Sequence, residues 1–164
     1  MHFSIAVDAD FRTTFLILED DANDALLIRR AFTNAACQAF VCRNTSEARA
    51  YLVGAGMYGD RDAYPFPDMF ITDIHLGDES GISFLEWLRS NEAFKNLPTI
   101  ILSGSCSPAD VQRAKKLGVS RFINKPSNPA ELQFIILKLS RQFCPKNSEH
   151  MPVSNRETYV RWTS

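Results

Sequence analysis

Four short stretches carry side chains able to do chemistry: Glu19-Asp20, Asp73, Ser103 and Lys125-Pro126. Each closes a short apolar run that reads as a buried β-strand. Strand ends on the carboxyl edge of a parallel sheet converge in space, so these residues are expected to share one site. Two carboxylates about 4 Å apart repel by roughly 4 kcal/mol at an effective dielectric near 20. Three acids in one pocket therefore call for a proton held at a raised pKa or for a bound cation. Mg²⁺ suits the second solution because it takes oxygen ligands in octahedral geometry and keeps several waters. The predicted ligands are Asp20 and Asp73 directly, Glu19 through water, and the backbone carbonyl of His75, with Mn²⁺ as an acceptable substitute. An aspartate can also attack phosphorus and become an acyl phosphate. The oxygens of a transferring phosphoryl group then need fixed positive charge and donors, which Lys125 and Ser103 supply. Pro126 is a candidate for a cis peptide bond that would turn the chain and aim Lys125 inward.

Taken singly, these residues mean little. A lone Asp at a strand end is commonly a helix cap, a lone Lys a solvated charge, a lone Ser a turn former. The specificity lies in the joint arrangement, in chain order, on four strand ends. Asp21, Asp24, Asp78 and Glu79 are expected to be solvated charges on the rim, and the His75 imidazole is expected to be exposed.

The elements that must position these groups alternate strand and helix. Strands are predicted at Thr14–Leu18, Ala39–Cys42, Met69–Thr72, Thr99–Leu102 and Arg121–Asn124. A helical stripe runs through Ala25, Leu26, Ile28, Ala31 and Phe32 within 22–35. Thr45 is placed as the cap of a second helix reaching about Val53. A third helix enters near Ser80-Gly81. Ser107-Pro108-Ala109-Asp110 starts a fourth that stops at Gly118, and Asn128-Pro129-Ala130-Glu131 starts a fifth ending near Phe143. Continuous apolar runs such as Phe15-Leu16-Ile17-Leu18 suit parallel strands buried on both faces. The fold class is α/β, a flavodoxin-like (βα)5 doubly wound parallel sheet of order 2-1-3-4-5.

The chain has 164 residues, enough for one domain with residues 1–13 as an N-terminal extension and 144–164 as a polar tail. A net charge of −1 gives no electrostatic footprint for nucleic acid. No apolar run approaches the ~20 residues of a membrane span, and the first residues lack the pattern of a secretory signal, so a cytoplasmic location is expected. Cys37, Cys42, Cys106 and Cys144 show no C-x-x-C pair and are read as reduced thiols. The connection from Gly54 to Pro67 exceeds the two to six residues common in α/β loops. It spells G-x-G-x-x-G from Gly54 to Gly59, but it follows a helix and runs into prolines, against a dinucleotide site.

The stretches 16–21, 70–76, 101–104 and 122–126 together resemble the receiver domain of two-component response regulators, over about residues 14–143. The spacings of 30 residues from Asp73 to Ser103 and 52 to Lys125 fit that resemblance. It implies that Asp73 accepts a phosphoryl group from a sensor histidine kinase or a histidine phosphotransfer protein with Mg²⁺ present. It also implies that Glu19 and Asp20 are the acid pair, Ser103 the switch hydroxyl, Lys125 the phosphate-pairing lysine and Phe122 the switch aromatic. The face of the fourth helix, fifth strand and fifth helix would change shape and could form a homodimer. No turnover of a diffusible substrate is expected. Two positions depart from the family pattern: Gly77 stands where proline is usual, and Phe122 where tyrosine is frequent. The long Gly54–Pro67 loop resembles that of stand-alone receivers partnering bacterial phytochromes. Two alternatives are a pseudo-receiver that has lost phosphorylation and a haloacid-dehalogenase-like phosphohydrolase. The latter needs a second Asp where His75 stands and an acid pair late in the chain.

Overall fold

The computed structural model describes residues 13–33, 37–77 and 79–143. The elements are β1 (Thr13–Leu18), α1 (Ala22–Thr33), β2 (Cys37–Cys42), α2 (Thr45–Val53), β3 (Met69–Thr72), α3 (Gly81–Ser90), β4 (Thr99–Ser103), α4 (Pro108–Lys116), β5 (Arg121–Asn124) and α5 (Pro129–Phe143). All strand pairings are parallel and the order is β2-β1-β3-β4-β5, as expected from the alternation. Strand order reverses about β1, so a crevice opens beyond the carboxyl ends of β1 and β3.

Period-two alternation divides the interior between the sheet's two faces. Phe15 and Ile17 of β1 pack with Ile28, Ala31 and Phe32 of α1 and with Leu132, Ile136 and Leu139 of α5. Leu16 and Leu18 face the other way, among Tyr51 and Leu52 of α2, Ile82, Phe84, Leu85 and Leu88 of α3, and Ala114 of α4. Both sides of the central strands are thus covered, which explains why they read as unbroken apolar runs.

The helix ends follow local chemistry. Ser107 and Asp110 form a reciprocal capping box with Pro108 in the first turn. Gly118, at φ 68°, takes the left-handed position after α4. For α2 the cap is Asn44, whose side chain accepts from the Glu47 N–H, and not Thr45 as expected. Thr45 is a buried first-turn residue instead. Strand β2 starts two residues earlier than predicted, at Cys37. Its thiol is not reduced: Cys37 is disulfide-bonded, while Cys42 and Cys106 are free, and Cys144 lies outside the described residues. The reduced-thiol reading failed because the fold brings the start of β2 against α5, with Cys37 Sγ 3.7 Å from the Ser140 carbonyl. That proximity has no trace in cysteine spacing. No cis peptide bond occurs among the described residues, so Pro126 is trans. The ladder bond from the Lys125 N–H to the Ser103 carbonyl, at 2.8 Å, already directs the chain without a cis turn.

The Gly54–Pro67 connection is ordered. Gly54, at φ 72°, closes α2, a 3-10 turn spans Gly56–Gly59, and Arg61 donates to the Leu52 and Tyr64 carbonyls. Tyr51 donates to the Pro65 carbonyl. Its ring lies 5.1–6.2 Å from those of Tyr58, Tyr64 and Phe40. The glycines therefore shape a turn after a helix, and no strand leads into them.

Candidate functional site

The ends of β1, β3, β4 and β5 meet as predicted. The Asp73 N–H donates to the Leu18 carbonyl at 3.3 Å, placing the carboxylate just past β3 and nearly buried, at 8% exposure. Its Oδ1 accepts from Ser103 Oγ at 2.6 Å and from the His75 N–H at 3.0 Å. Its Oδ2 faces Lys125 Nζ at 3.4 Å. The Ser103 hydroxyl also lies 3.0 Å from the Ser105 carbonyl, but it has one proton, and the shorter contact to Asp73 takes it. Helix α3 starts tight against this point: a Cβ on Gly81 would lie 1.9 Å from the Asp73 carbonyl oxygen, so only glycine fits there.

Asp20 and Glu19 point to different partners. Asp20 Oδ2 accepts from the Gly77 N–H at 3.0 Å, and its carbonyl accepts from the Arg43 guanidinium. A proline at position 77 would have no N–H to give. Gly77 therefore supplies a backbone tether on an acid of the site. Glu19 Oε1 accepts from the Asp21 N–H at 3.2 Å, and its Oε2 is 2.7 Å from Lys125 Nζ. Burial raises the Glu19 pKa above the usual glutamate value, and the Asp73 charge adds to this, against the pull of Lys125. Burial works to lower the Lys125 pKa, but hydrogen bonds to Asp24 and Glu19 outweigh it and leave the ammonium held more firmly than an ordinary lysine.

Two expectations for rim charges fail. Asp24, in the first turn of α1, lies 2.6 Å from Lys125 Nζ and belongs to the site. Glu79 makes a two-oxygen pair with Arg49, at 2.8 and 3.0 Å, while the guanidinium stacks 4.3 Å from the Trp87 ring. This pair ties the β3–α3 loop to α2. Asp21 caps α1 by accepting from the Asn23 and Asp24 N–H groups, which lowers its pKa. Asp78 lies outside the described residues. The His75 side chain is exposed, as expected, with Nε2 2.9 Å from the Ser105 carbonyl. Phe122 is partly buried against the α3 and α4 side of the core.

Among the described residues no group of three or more His, Cys, Asp or Glu side chains is arranged to hold an ion. Glu19 already pairs with Lys125 and a backbone N–H, so it would reach an ion only through water. What remains for a cation is Asp20, Asp73 and a backbone carbonyl. That all-oxygen set fits a hard ion that retains waters.

Comparison with known proteins agrees with this geometry. The family model described as the response regulator receiver domain matches residues 15–137. The chain is 28% identical over 136 residues to the phosphate regulon transcriptional regulatory protein PhoB of Pseudomonas aeruginosa, covering 83% of this chain and 55% of PhoB. It is 36% identical over 72 residues to the transcriptional regulatory protein GltR of the same organism, covering 44% of this chain and 30% of GltR. The chain thus spans about half or less of the length of these curated relatives. Among solved structures, the phosphorylated cyanobacterial phytochrome response regulator RcpA superposes with a TM-score of 0.72 at 26% identity, covering 79% of this chain and 92% of RcpA. The Mn²⁺-bound form of response regulator Rcp1 superposes with a TM-score of 0.72 at 20% identity, covering 85% of this chain and 99% of Rcp1, a likeness of fold. No helix among the described residues is long and apolar enough to cross a membrane. With the family's strand order, its acid, hydroxyl and lysine gathered at one sheet edge, and a family match over most of its length, this chain belongs to the response regulator receiver domain family.

Proposed function

We propose that this receiver is a phosphoryl-operated switch in which Asp73 takes a phosphoryl group from a phosphohistidine of a sensor kinase or a histidine phosphotransfer protein. The observation that carries the reading is the environment of the Asp73 carboxylate, with Ser103 Oγ at 2.6 Å on one oxygen and Lys125 Nζ at 3.4 Å on the other. Oδ1 already accepts two hydrogen bonds, whereas Oδ2 has one long contact. Oδ2 therefore keeps the more available lone pairs and is the nucleophile. It forms a bond to phosphorus as the phosphorus–nitrogen bond of the phosphohistidine breaks, and the imidazole leaves with the electron pair. Lys125 and the Ser103 hydroxyl then turn to oxygens of the phosphoryl group. Later attack of water on phosphorus returns the carboxylate and inorganic phosphate.

Asp20, Asp73 and the His75 carbonyl would hold Mg²⁺, or Mn²⁺ in its place, with Glu19 reaching it through water. When bound, the ion neutralises charge shared between the acceptor and the phosphoryl group. RcpA in its phosphorylated form and Rcp1 in its Mn²⁺-bound form share this fold, in keeping with a phosphoryl group and a divalent ion here. Phosphorylation adds about −1.5 to −2 charge and three acceptor oxygens. As Ser103 leaves its contact with Asp73, Phe122 gains room to turn inward and the α4–β5–α5 face changes shape, a population shift between two packed states. Phe134, 67% exposed on α5, is an apolar contact point that helix offers to a partner or a second copy.

Incubation with acetyl phosphate and Mg²⁺, followed by intact-mass measurement, tests this reading. The wild type should gain one phosphoryl group and Asp73→Asn none. No gain in the wild type, or the same gain in the variant, would refute it.

A further inference from the structure

Lys125 Nζ has three hydrogens to donate, and three carboxylates stand around it: Asp24 at 2.6 Å, Glu19 at 2.7 Å and Asp73 at 3.4 Å. The ammonium is therefore fully occupied before any phosphoryl group arrives. Bond formation to phosphorus takes the Asp73 Oδ2 contact, the longest at 3.4 Å, out of this set, and the added charge and acceptor oxygens of the phosphoryl group then compete for a further ammonium hydrogen held by Glu19 or Asp24. The partners differ in what release would cost them. The Glu19 side chain is 3% exposed and would keep only the Asp21 N–H, leaving a buried charge without its counter-ion. The Asp24 side chain is 30% exposed, so water can replace the ammonium. Asp24 also sits in the first turn of α1, where the helix dipole favours a negative charge with or without a lysine.

We infer that Asp24 is a positioning residue that holds Lys125 in the unphosphorylated protein and surrenders it to the phosphoryl group, so that phosphorylation unlatches the first turn of α1 from the end of β5. This rests on Asp73 being the phosphoacceptor. The latch opposes activation, because each Lys125 contact made to the phosphoryl group beyond the one Asp73 vacates displaces one made to Asp24. It also gives the site a second outlet. The α4–β5–α5 face reads the state of Ser103 and Phe122, while α1 reads the state of Lys125.

The test is titration of the wild type, Asp24→Asn, Asp24→Glu and Asp73→Asn with beryllofluoride, a phosphoryl mimic, in the presence of Mg²⁺. Backbone amide resonances of residues 22–25 are followed in the same samples. Removing a partly exposed competitor should tighten mimic binding about three- to fivefold in Asp24→Asn, with Asp24→Glu close to the wild type. The amides of 22–25 should move on mimic binding in the wild type and should already lie near their displaced positions in free Asp24→Asn. Asp24→Ala should change affinity in the same direction and guards against a folding defect of the first variant. Unchanged or weaker mimic binding in both neutral variants overturns the latch, as do wild-type 22–25 amides that stay fixed when the mimic binds. A wild type that does not bind the mimic at all refutes the phosphoacceptor reading itself, which separates the two failures.

Discussion

Replacing Gly81 by alanine should damage stability and phosphoryl acceptance together. The added Cβ would lie 1.9 Å from the Asp73 carbonyl oxygen, 2.9 Å from its carbonyl carbon and 3.0 Å from Ile74 Cα. All three are backbone atoms, so no side chain can swing aside. Restoring an ordinary contact near 3.4 Å means a displacement of about 1.5 Å between the start of α3 and the end of β3. That movement also stretches the 2.8 Å bond from the Gly81 N–H to the Ile74 carbonyl. Overpacking of this kind costs about 1–3 kcal/mol. The better helix propensity of alanine returns at most about 1 kcal/mol. The net expectation is a loss of about 1–2 kcal/mol, or a melting temperature lower by about 3–10 °C for a domain of this size. The chemical effect should be larger. If Asp73 moves by even about 1 Å relative to Ser103 and Lys125, phosphorylation should slow by about a hundredfold. Urea unfolding gives the first quantity, and the initial rate of mass gain with acetyl phosphate gives the second. A Gly81→Ala protein with an unchanged urea midpoint and an unchanged rate would show that α3 is not seated against the acceptor's backbone.

Lys125→Met should destabilise the protein by about 3–5 kcal/mol near neutral pH, because it strands the buried Glu19 carboxylate. Glu19 has a folded-state pKa above its ordinary 4.5, so its favourable contribution is complete below the unfolded pKa and is lost as pH rises through the folded one. The deficit of Lys125→Met should therefore shrink as pH falls toward 4.5, and urea midpoints showing the same deficit at both pH values would contradict this. Millimolar Mg²⁺ should raise the melting temperature of the wild type, by about 1.4 kcal/mol of stability at ten times the dissociation constant. The same addition should do little for Asp20→Asn, and an equal shift in both proteins would remove Asp20 from the cation site.

The parts of this protein visible in its sequence are those encoded over a few neighbouring residues. Phe15-Leu16-Ile17-Leu18 and Ile100-Ile101-Leu102 announce strands covered on both faces, and the Ser107-Pro108 start and Gly118 stop of α4 are local chemistry. Once parallel order is assumed, Glu19, Asp20, Asp73, Ser103 and Lys125 must meet. What was missed depends on reach across the fold. An acid in the first turn of a helix reads as a complement to the helix dipole, and nothing near Asp24 says that Lys125, a hundred residues away, lies 2.6 Å off. Glu79 and Arg49 are likewise joined only by the packing of the β3–α3 loop on α2. Asn44 and Thr45 are both competent caps side by side, and the choice falls to the residue whose oxygen faces the Glu47 N–H. Pro126 permitted a cis bond, but the ladder between β4 and β5 made it unnecessary.

The aromatic group built from Phe40, Tyr51, Tyr58 and Tyr64 has a consequence for anyone reshaping this scaffold. Tyr51 is fully enclosed, yet two of the rings around it and the carbonyl that takes its hydroxyl proton all come from the excursion after α2. Trimming that excursion to a minimal connector would strip the wall from a core tyrosine and leave its hydroxyl without an acceptor. The surplus length is thus a roof over one corner of the domain, and grafts or tags belong elsewhere on the surface.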